Sequence, residues 1–575
     1  MRTYVVSAAV GAAGLFCTSC MTPVTPPAPA PMDHAAMGHG MTMPPMPAVY
    51  MGQADKPGAP VFTGLGDHHH PITTANPQTQ RFFDQGVRLL FGFNHAEAIR
   101  SFREAARLDP ACAMCWWGVA FALGPNINLP MGEDAVAPAW EALTRARALA
   151  PRAAPPEQAW IAALALRYSA DPKADRRLMD AAFAQAMADL ARRYPDDLDA
   201  PTFAAEAMMD TQPWDYWAAD GVAPKGNAAA IVASLEGVLK RQPDHPGALH
   251  LYIHAVEAST TPERAEAAAD RLQSLMPQAG HIVHMPSHIF YRVGRYADAA
   301  KANEIAARVD EDYIAACRAQ GFYPAGYYGH NIHFLWTSSE MMGRRQASID
   351  AARRLTKAVN ARELAKQLPQ GELYDFPVVV SLLRFGQWDA VLAEPSPPEA
   401  LKLDRAMWLY AHGFAAANTG DRASAQADRA RLAELTRADF AAYEAFAIPA
   451  RQMAEIGLAL LDGEMARKAG DLKGAVAQFR KAAALEQALP YMEPPYWHQP
   501  ISHVLGAALL QARQPKAAEA VYRQSLKTYR HDGWALFGLA QALTAQGRTA
   551  EAAAVQTDFQ AAWAMADVTL ASSRF

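Results

Sequence analysis

A spacing of 34 residues recurs from residue 79 onward, and it limits the possible folds more than any other feature of the chain. A period of this length marks units that cannot bury their apolar face alone and must stack on their neighbours. Gly86, Ala98, Phe102, Ala105 and Pro110 set the first register as small, small, aromatic, small and terminating places. It returns at Ala459, Gly470, Ala475, Phe479 and Ala482, then at Leu505, Gly506, Ala518 and Tyr522, and again at Leu539, Ala540, Gly547 and Ala552. Units begin near 79, 113, 246, 280, 329, 372, 406, 456, 499 and 533; several spacings are 34 and others 43, 49 or 50. Small residues let paired helices approach, a loop glycine ends the first helix with positive φ, and Pro110 stops the second. Between 126 and 230 the register is lost, yet Pro156 to Leu166 and Leu178 to Tyr194 keep helical apolar spacing, so two diverged units are expected there.

This register resembles that of tetratricopeptide-repeat (TPR) proteins over most of the chain. The resemblance implies an all-α solenoid, a right-handed superhelix of antiparallel helix pairs whose first helices line a concave ligand face. We expect an entry segment at 61–78, an N-terminal array at 79–345 and a C-terminal array at 346–575. A chain of 575 residues outgrows one core, and stacking in series removes that limit.

The first twenty residues carry Arg2, an apolar stretch from Val5 to Phe16, and Cys17-Thr18-Ser19-Cys20. This is signal-peptide architecture, too short to span a bilayer. Thr18-Ser19-Cys20 resembles the end of a bacterial lipobox, with Cys17 where Leu is usual, which implies lipidation of Cys20 and residence in the periplasm or cell envelope. Residues 21–60, rich in Pro, Met, Gly and Ala, read as a disordered tether. Within it Met32, His34, Met37, His39, Met41 and Met43 intersperse thioether and imidazole groups that suit copper. The segment resembles the Met/His-rich segments of periplasmic copper-resistance proteins; a low-complexity linker is the other reading.

The chemistry concentrates in three consecutive units. In TPR proteins the second, fifth, ninth and twelfth places face the groove. Here they hold His250, His254 and Glu257, then His281, His284 and His288, then His330, His333 and Glu340. Seven of eighteen His therefore fall on one surface. Imidazoles one turn apart can share a metal, and His250/His254 and His284/His288 are such pairs. Imidazole with carboxylate suits copper or zinc, with Glu257 or Glu340 as a further ligand or a general base.

Other candidates are His68, His69 and His70 at the array entrance, and Asp210, Trp214, Asp215 and Trp217 in an aromatic turn that either walls a pocket or packs. Cys112 and Cys115 have the spacing of a local disulfide, and Trp116 is expected in the core. Net charge is −5 with no long basic run, which argues against a nucleic-acid partner. No phosphate loop, nucleophile elbow or His-Glu-x-x-His helix is present in the sequence. The expected function is binding of copper or zinc in the groove; the alternatives are a metal-free protein-interaction scaffold and a metal-dependent enzyme.

Overall fold

Phe102 is clamped between two glycines, and this contact explains the period. A Cβ on Gly86 would sit 2.4 Å from the Phe102 ring and one on Gly118 would sit 2.5 Å from it. The Pro77–Phe91, His95–Leu108 and Ala113–Ala122 helices thus share one aromatic wedge. Tyr522 is wedged in the same way between Gly506 and Gly538, at 2.2 Å from either hypothetical Cβ. The loop glycines Gly470 and Gly547 have φ of 83° and 73°, the left-handed backbone that a side chain resists.

The computed structural model describes residues 58–317 and 323–575. These residues form an all-α array of antiparallel helix pairs; two isolated bridges, Asn126–Leu129 and Trp217–Pro224, are the extent of β pairing among them. Cys20 and the tail residues Met32 to Met43 lie outside the described residues. Among the described residues no helix is long and apolar enough to cross a membrane.

Where the register was lost, Glu133–Leu149, Pro155–Leu164, Arg176–Arg193, Asp199–Asp210 and Ala228–Arg241 continue the helical array. Aromatic edges replace small residues there: Trp117, Trp160, Phe121 and Phe203 meet in T-shaped pairs with centroids 5.0–5.8 Å apart.

Two expectations meet their outcome in this region. Trp116 is only partly buried, covered by Arg145 at 4.5 Å from its ring, and Trp117 takes the core place instead. Trp117 faces Phe121, Trp160 and Phe203, while Trp116, about 100° away around the helix, turns to Arg145. Cys112 and Cys115 are joined in a disulfide with Cα atoms 5.5 Å apart, and Cys112 also caps the helix that follows.

The later helices close back on the earlier ones. The Tyr491–His498 segment brings Glu493 against Arg292 and His288, and Arg530 pairs with Glu263 at 2.9 Å. Near the end of the chain Arg574 grips Glu464 through its two terminal guanidinium nitrogens, at 2.7 and 3.0 Å.

Candidate metal centre

The groove stripe is not a solvent-lined surface. His250, His254, His281, His284 and His288 are all at most 3% exposed, and His330 is partly buried. Later segments and large aromatic rings cover what an open groove would have shown to water. His330 follows a π-helical turn, Pro324–Tyr328, whose wider winding sets it facing His284 and His288.

Six imidazoles gather into two triads. His250, His254 and His281 form one, and His284, His288 and His330 the other, with candidate ligand atoms inside each triad no more than 4.8 Å apart. His250 and His254 come from the Pro246–Val256 helix. The chain then breaks into two short helices, Gly280–His284 and Pro286–Val293, with Pro286 at the first position of the second. His330 comes from Gly329–Met341.

Hydrogen bonds behind the rings fix which nitrogen faces inward. His250 Nδ1 donates to the carbonyl of Phe91 at 2.6 Å, which leaves Nε2 as the lone-pair atom. His284 Nδ1 donates to Asn303 Oδ1 at 2.6 Å, because the Asn303 amide nitrogen is already given to the Ala299 carbonyl. His254 Nδ1 donates to Glu257 Oε1 at 3.0 Å, and His288 Nδ1 donates to the other oxygen of the same carboxylate. One carboxylate thus orients one ring of each triad. Glu257, expected as a ligand or a base, stands behind the rings and takes this positioning role.

Burial lowers the pKa of His250, His254 and His288 to about 3, and that of His281, His284 and His330 well below the ordinary range. Six neutral rings result. His284 Nε2 and His288 Nε2 face each other at 2.9 Å, although both rings carry their proton on Nδ1. Neither can donate across that gap. Two facing lone pairs in a dry chamber repel unless a cation lies between or beside them.

Aromatic rings wall the chamber. Phe93 lies 4.6 Å from His250 and 5.3 Å from His281, and Phe334 lies 4.7 Å from His288. Trp214 meets His254 edge-on at 5.0 Å. Phe93 and Trp214 hold φ of 52° and 64°, so both rings are placed by a backbone that costs on the order of 1–3 kcal/mol per residue. Trp214 therefore walls the chamber, whereas Trp217 packs, donating Nε1 to the Ala255 carbonyl at 2.8 Å. Asp210 pairs with the buried Arg167 at 2.6 Å, and Asp215 with Lys225.

Two residues of the predicted stripe go elsewhere. His333 stacks on Trp336 at 5.3 Å, away from both triads. Glu340 is buried beside Arg384 and His498, at 3.6 and 3.8 Å, and burial lifts its pKa to about 8. Both belong to the Gly329–Met341 helix: His333 turns toward Trp336 and Tyr374 while its neighbour Phe334 still walls the chamber, and Glu340 lies about three turns beyond His330.

The entrance histidines form a separate cluster. Asp199 accepts from His68 at 3.0 Å, His70 at 2.6 Å and His245 at 2.9 Å. His245 Nδ1 accepts the Ala248 N–H, so its Nε2 carries the proton given to Asp199 and is not free for a metal. His69 turns out toward Asp84 at 2.8 Å. The motif anchors the entry segment to the Asp199–Asp210 helix beside a cleft of about 860 Å³.

Sequence reasoning missed Phe93, Asn303, Glu493, Asp199 and His245. Glu493 did leave a trace: it lies in Tyr491-Met492-Glu493-Pro494-Pro495-Tyr496-Trp497-His498, a Pro- and aromatic-rich stretch that breaks an Ala-rich repeat.

Residues 509–555 match the tetratricopeptide-repeat family model. No curated protein matches the chain. Solved structures similar to it include the human IFIT1 dimer with m7Gppp-AAAA, at 11% identity and a TM-score of 0.32 over 85% of this chain and 91% of that one. Yeast Tom70 matches at 10% identity and a TM-score of 0.29, over 84% of this chain and 93% of that one. The P58(IPK) TPR domain matches at 12% and 0.19, over 82% and 99%. The family match and the helix-pair array agree on a TPR-type repeat scaffold.

Proposed function

We propose that this chain is a TPR-type scaffold of the cell envelope whose buried histidine chamber holds a transition metal, copper or zinc. The family match backs the scaffold half of this reading; the metal half rests on side-chain geometry. One observation carries it: His284 and His288 both hold their proton on Nδ1 and turn their Nε2 lone pairs toward each other at 2.9 Å. A bound ion at about 2.0–2.1 Å from each nitrogen turns this repulsion into coordination. The apolar stretch from Val5 to Phe16 supports export, Thr18-Ser19-Cys20 after it supports a lipid anchor, and the Met/His tail supports copper capture ahead of the chamber.

The test is metal analysis by mass spectrometry on untagged protein from copper- and zinc-supplemented cells, comparing the full chain with one lacking residues 21–60. Near-integral metal in both is expected. Metal in the full chain alone assigns binding to the tail. Metal in neither leaves the second reading, a protein-interaction scaffold without metal, which the match at 509–555 favours.

A further inference from the structure

Asp404 belongs to the C-terminal array, outside the histidine chamber. It is 2% exposed, and its Oδ2 has no hydrogen-bond partner among the described residues. It stands in the first turn of the Lys402–Thr419 helix, where its N–H donates to Glu372 Oε2 at 2.9 Å. Tyr443 donates to the other Glu372 oxygen at 2.6 Å, so that carboxyl is fully engaged. Asp375 adjoins Asp404 and is itself held by Arg362 at 2.8 Å. Burial first, and then the Asp375 carboxyl, lifts the Asp404 pKa well above the ordinary range. A buried acceptor without a donor is costly, and there is room for a donor here: Asp404 and Asp375 line a pocket of about 250 Å³.

We propose that this pocket is a second ligand site, independent of the metal reading, and that it takes a free aliphatic α-amino acid with its ammonium group at Asp404 and its carboxylate at the mouth.

The floor is acidic and the mouth basic. Asp375 and Asp404 are buried, whereas Arg353, Lys357 and Arg362 line the same pocket as exposed residues. Arg353 pairs with Glu394 at 2.9 Å and Arg362 with Asp375, which leaves Lys357 without an ion pair among the described residues. With Asp404 ionised, the three basic side chains are balanced by Asp375, Asp404 and Glu394, so a ligand of zero net charge keeps the balance. A lone amine adds an uncompensated positive charge, and a lone carboxylate has no proton to give Asp404. An ammonium head brings three N–H donors in a compact group, enough to serve Asp404 Oδ2 and a second acceptor beside it.

A hard metal ion fits less well. With Glu372 engaged and Asp375 held by Arg362, the remaining carboxylate offers too few oxygens for such a cation. Phe376, Val379 and Trp408 form an apolar wall, which suits an aliphatic side chain.

The test is isothermal titration calorimetry on the full chain with a metal chelator present, so that no amino acid can be held through copper or zinc in the histidine chamber. L-leucine or L-valine should bind one per chain with a dissociation constant below about 1 mM. N-acetyl-leucine, which lacks the ammonium, and leucine methyl ester, which lacks the carboxylate, should each bind at least about tenfold more weakly. Asp404→Asn keeps the shape of the side chain without its charge and should abolish binding. Lys357→Ala, at the exposed mouth, should weaken binding about tenfold with an unchanged circular dichroism spectrum, and it carries the test if Asp404→Asn does not fold. No heat from leucine or valine up to about 10 mM overturns the proposal. So does binding that N-acetylation, or Lys357→Ala together with Asp404→Asn, leaves unchanged. Methyl ester binding as tight as that of leucine overturns the amino-acid assignment and makes the ammonium of a peptide N-terminus the ligand. None of these outcomes bears on the metal reading of the chamber.

Discussion

His284 Nε2 lies 2.9 Å from His288 Nε2, and each ring has already spent its proton on an acceptor behind it. Two facing lone pairs are unfavourable unless a cation lies against them, so a bound metal should stabilise the fold. Adding copper or zinc to chelator-treated protein should raise the thermal midpoint in proportion to the logarithm of metal concentration. At a hundredfold excess over the dissociation constant the gain is about 2.7 kcal/mol. No shift in a scanning-calorimetry titration would sink the idea.

Glu257→Gln tests whether the carboxylate positions both triads. An amide has one acceptor oxygen and must present its NH2 to the other ring, which turns that ring's tautomer. Metal affinity should fall about 10–100-fold while helix content stays intact. Glu257→Asp, which keeps both acceptors on a shorter stem, should recover part of the loss in the same competition assay.

Asp199 is expected to be structural rather than metal-binding. It takes N–H donors from His68, His70 and His245, and its pKa stays well below the ordinary range despite burial. Burial lowers the His70 pKa, yet the Asp199 hydrogen bond and charge overcome this and raise it. Asp199→Ala leaves three buried imidazoles without their acceptor and should cost about 3–5 kcal/mol in denaturant unfolding, with chamber metal content unchanged. Loss of metal with stability preserved would show that the entrance cluster is itself a metal site.

Trp116 and Trp117 are adjacent and should differ sharply. Trp117→Ala opens a cavity among Phe121, Trp160 and Phe203 and should cost about 3–5 kcal/mol. Trp116→Ala removes a partly buried ring stacked by Arg145 and should cost about 1 kcal/mol or less. Equal losses in chemical denaturation would contradict the assigned facing of the Ala113–Ala122 helix.

The pair Arg574–Glu464 predicts an acid limb in stability. Burial alone raises the Glu464 pKa, but Arg574 and Arg467 bring it down to about 2, against an ordinary 4.5. A depressed carboxyl contributes stability that is complete above the unfolded value and lost as pH falls from there toward the folded one. The loss, on the order of 3 kcal/mol, should therefore appear between about pH 4.5 and pH 2. Arg574→Met should shallow this limb, since Arg467 alone remains; an unchanged slope across that window would refute the assignment.

The repeat was legible in the chain because its cause is local. Gly86, Phe102 and Gly118 must have their sizes for three helices to meet, so the spacing of small and aromatic residues records the packing directly. Helical spacing likewise placed His250 with His254 and His284 with His288, since residues four apart share a face whatever lies around them. What faces that stripe is not local. Glu493 reaches the chamber from more than 200 positions along the chain from His288, Phe93 from a left-handed turn far earlier, and Asn303 from the following helix. Periodicity says nothing about such partners. For the same reason His333 and Glu340 lie on the expected stripe yet away from the cluster, and Trp117 rather than Trp116 faces the core: which neighbour a helix face meets is set by segments distant in the chain. The sequence by itself determined the repeat and the histidine stripe through short-range sterics. Only the tertiary structure decided that the stripe is buried, which nitrogens point inward, and that one carboxylate serves both triads, because those depend on contacts between segments the chain keeps far apart.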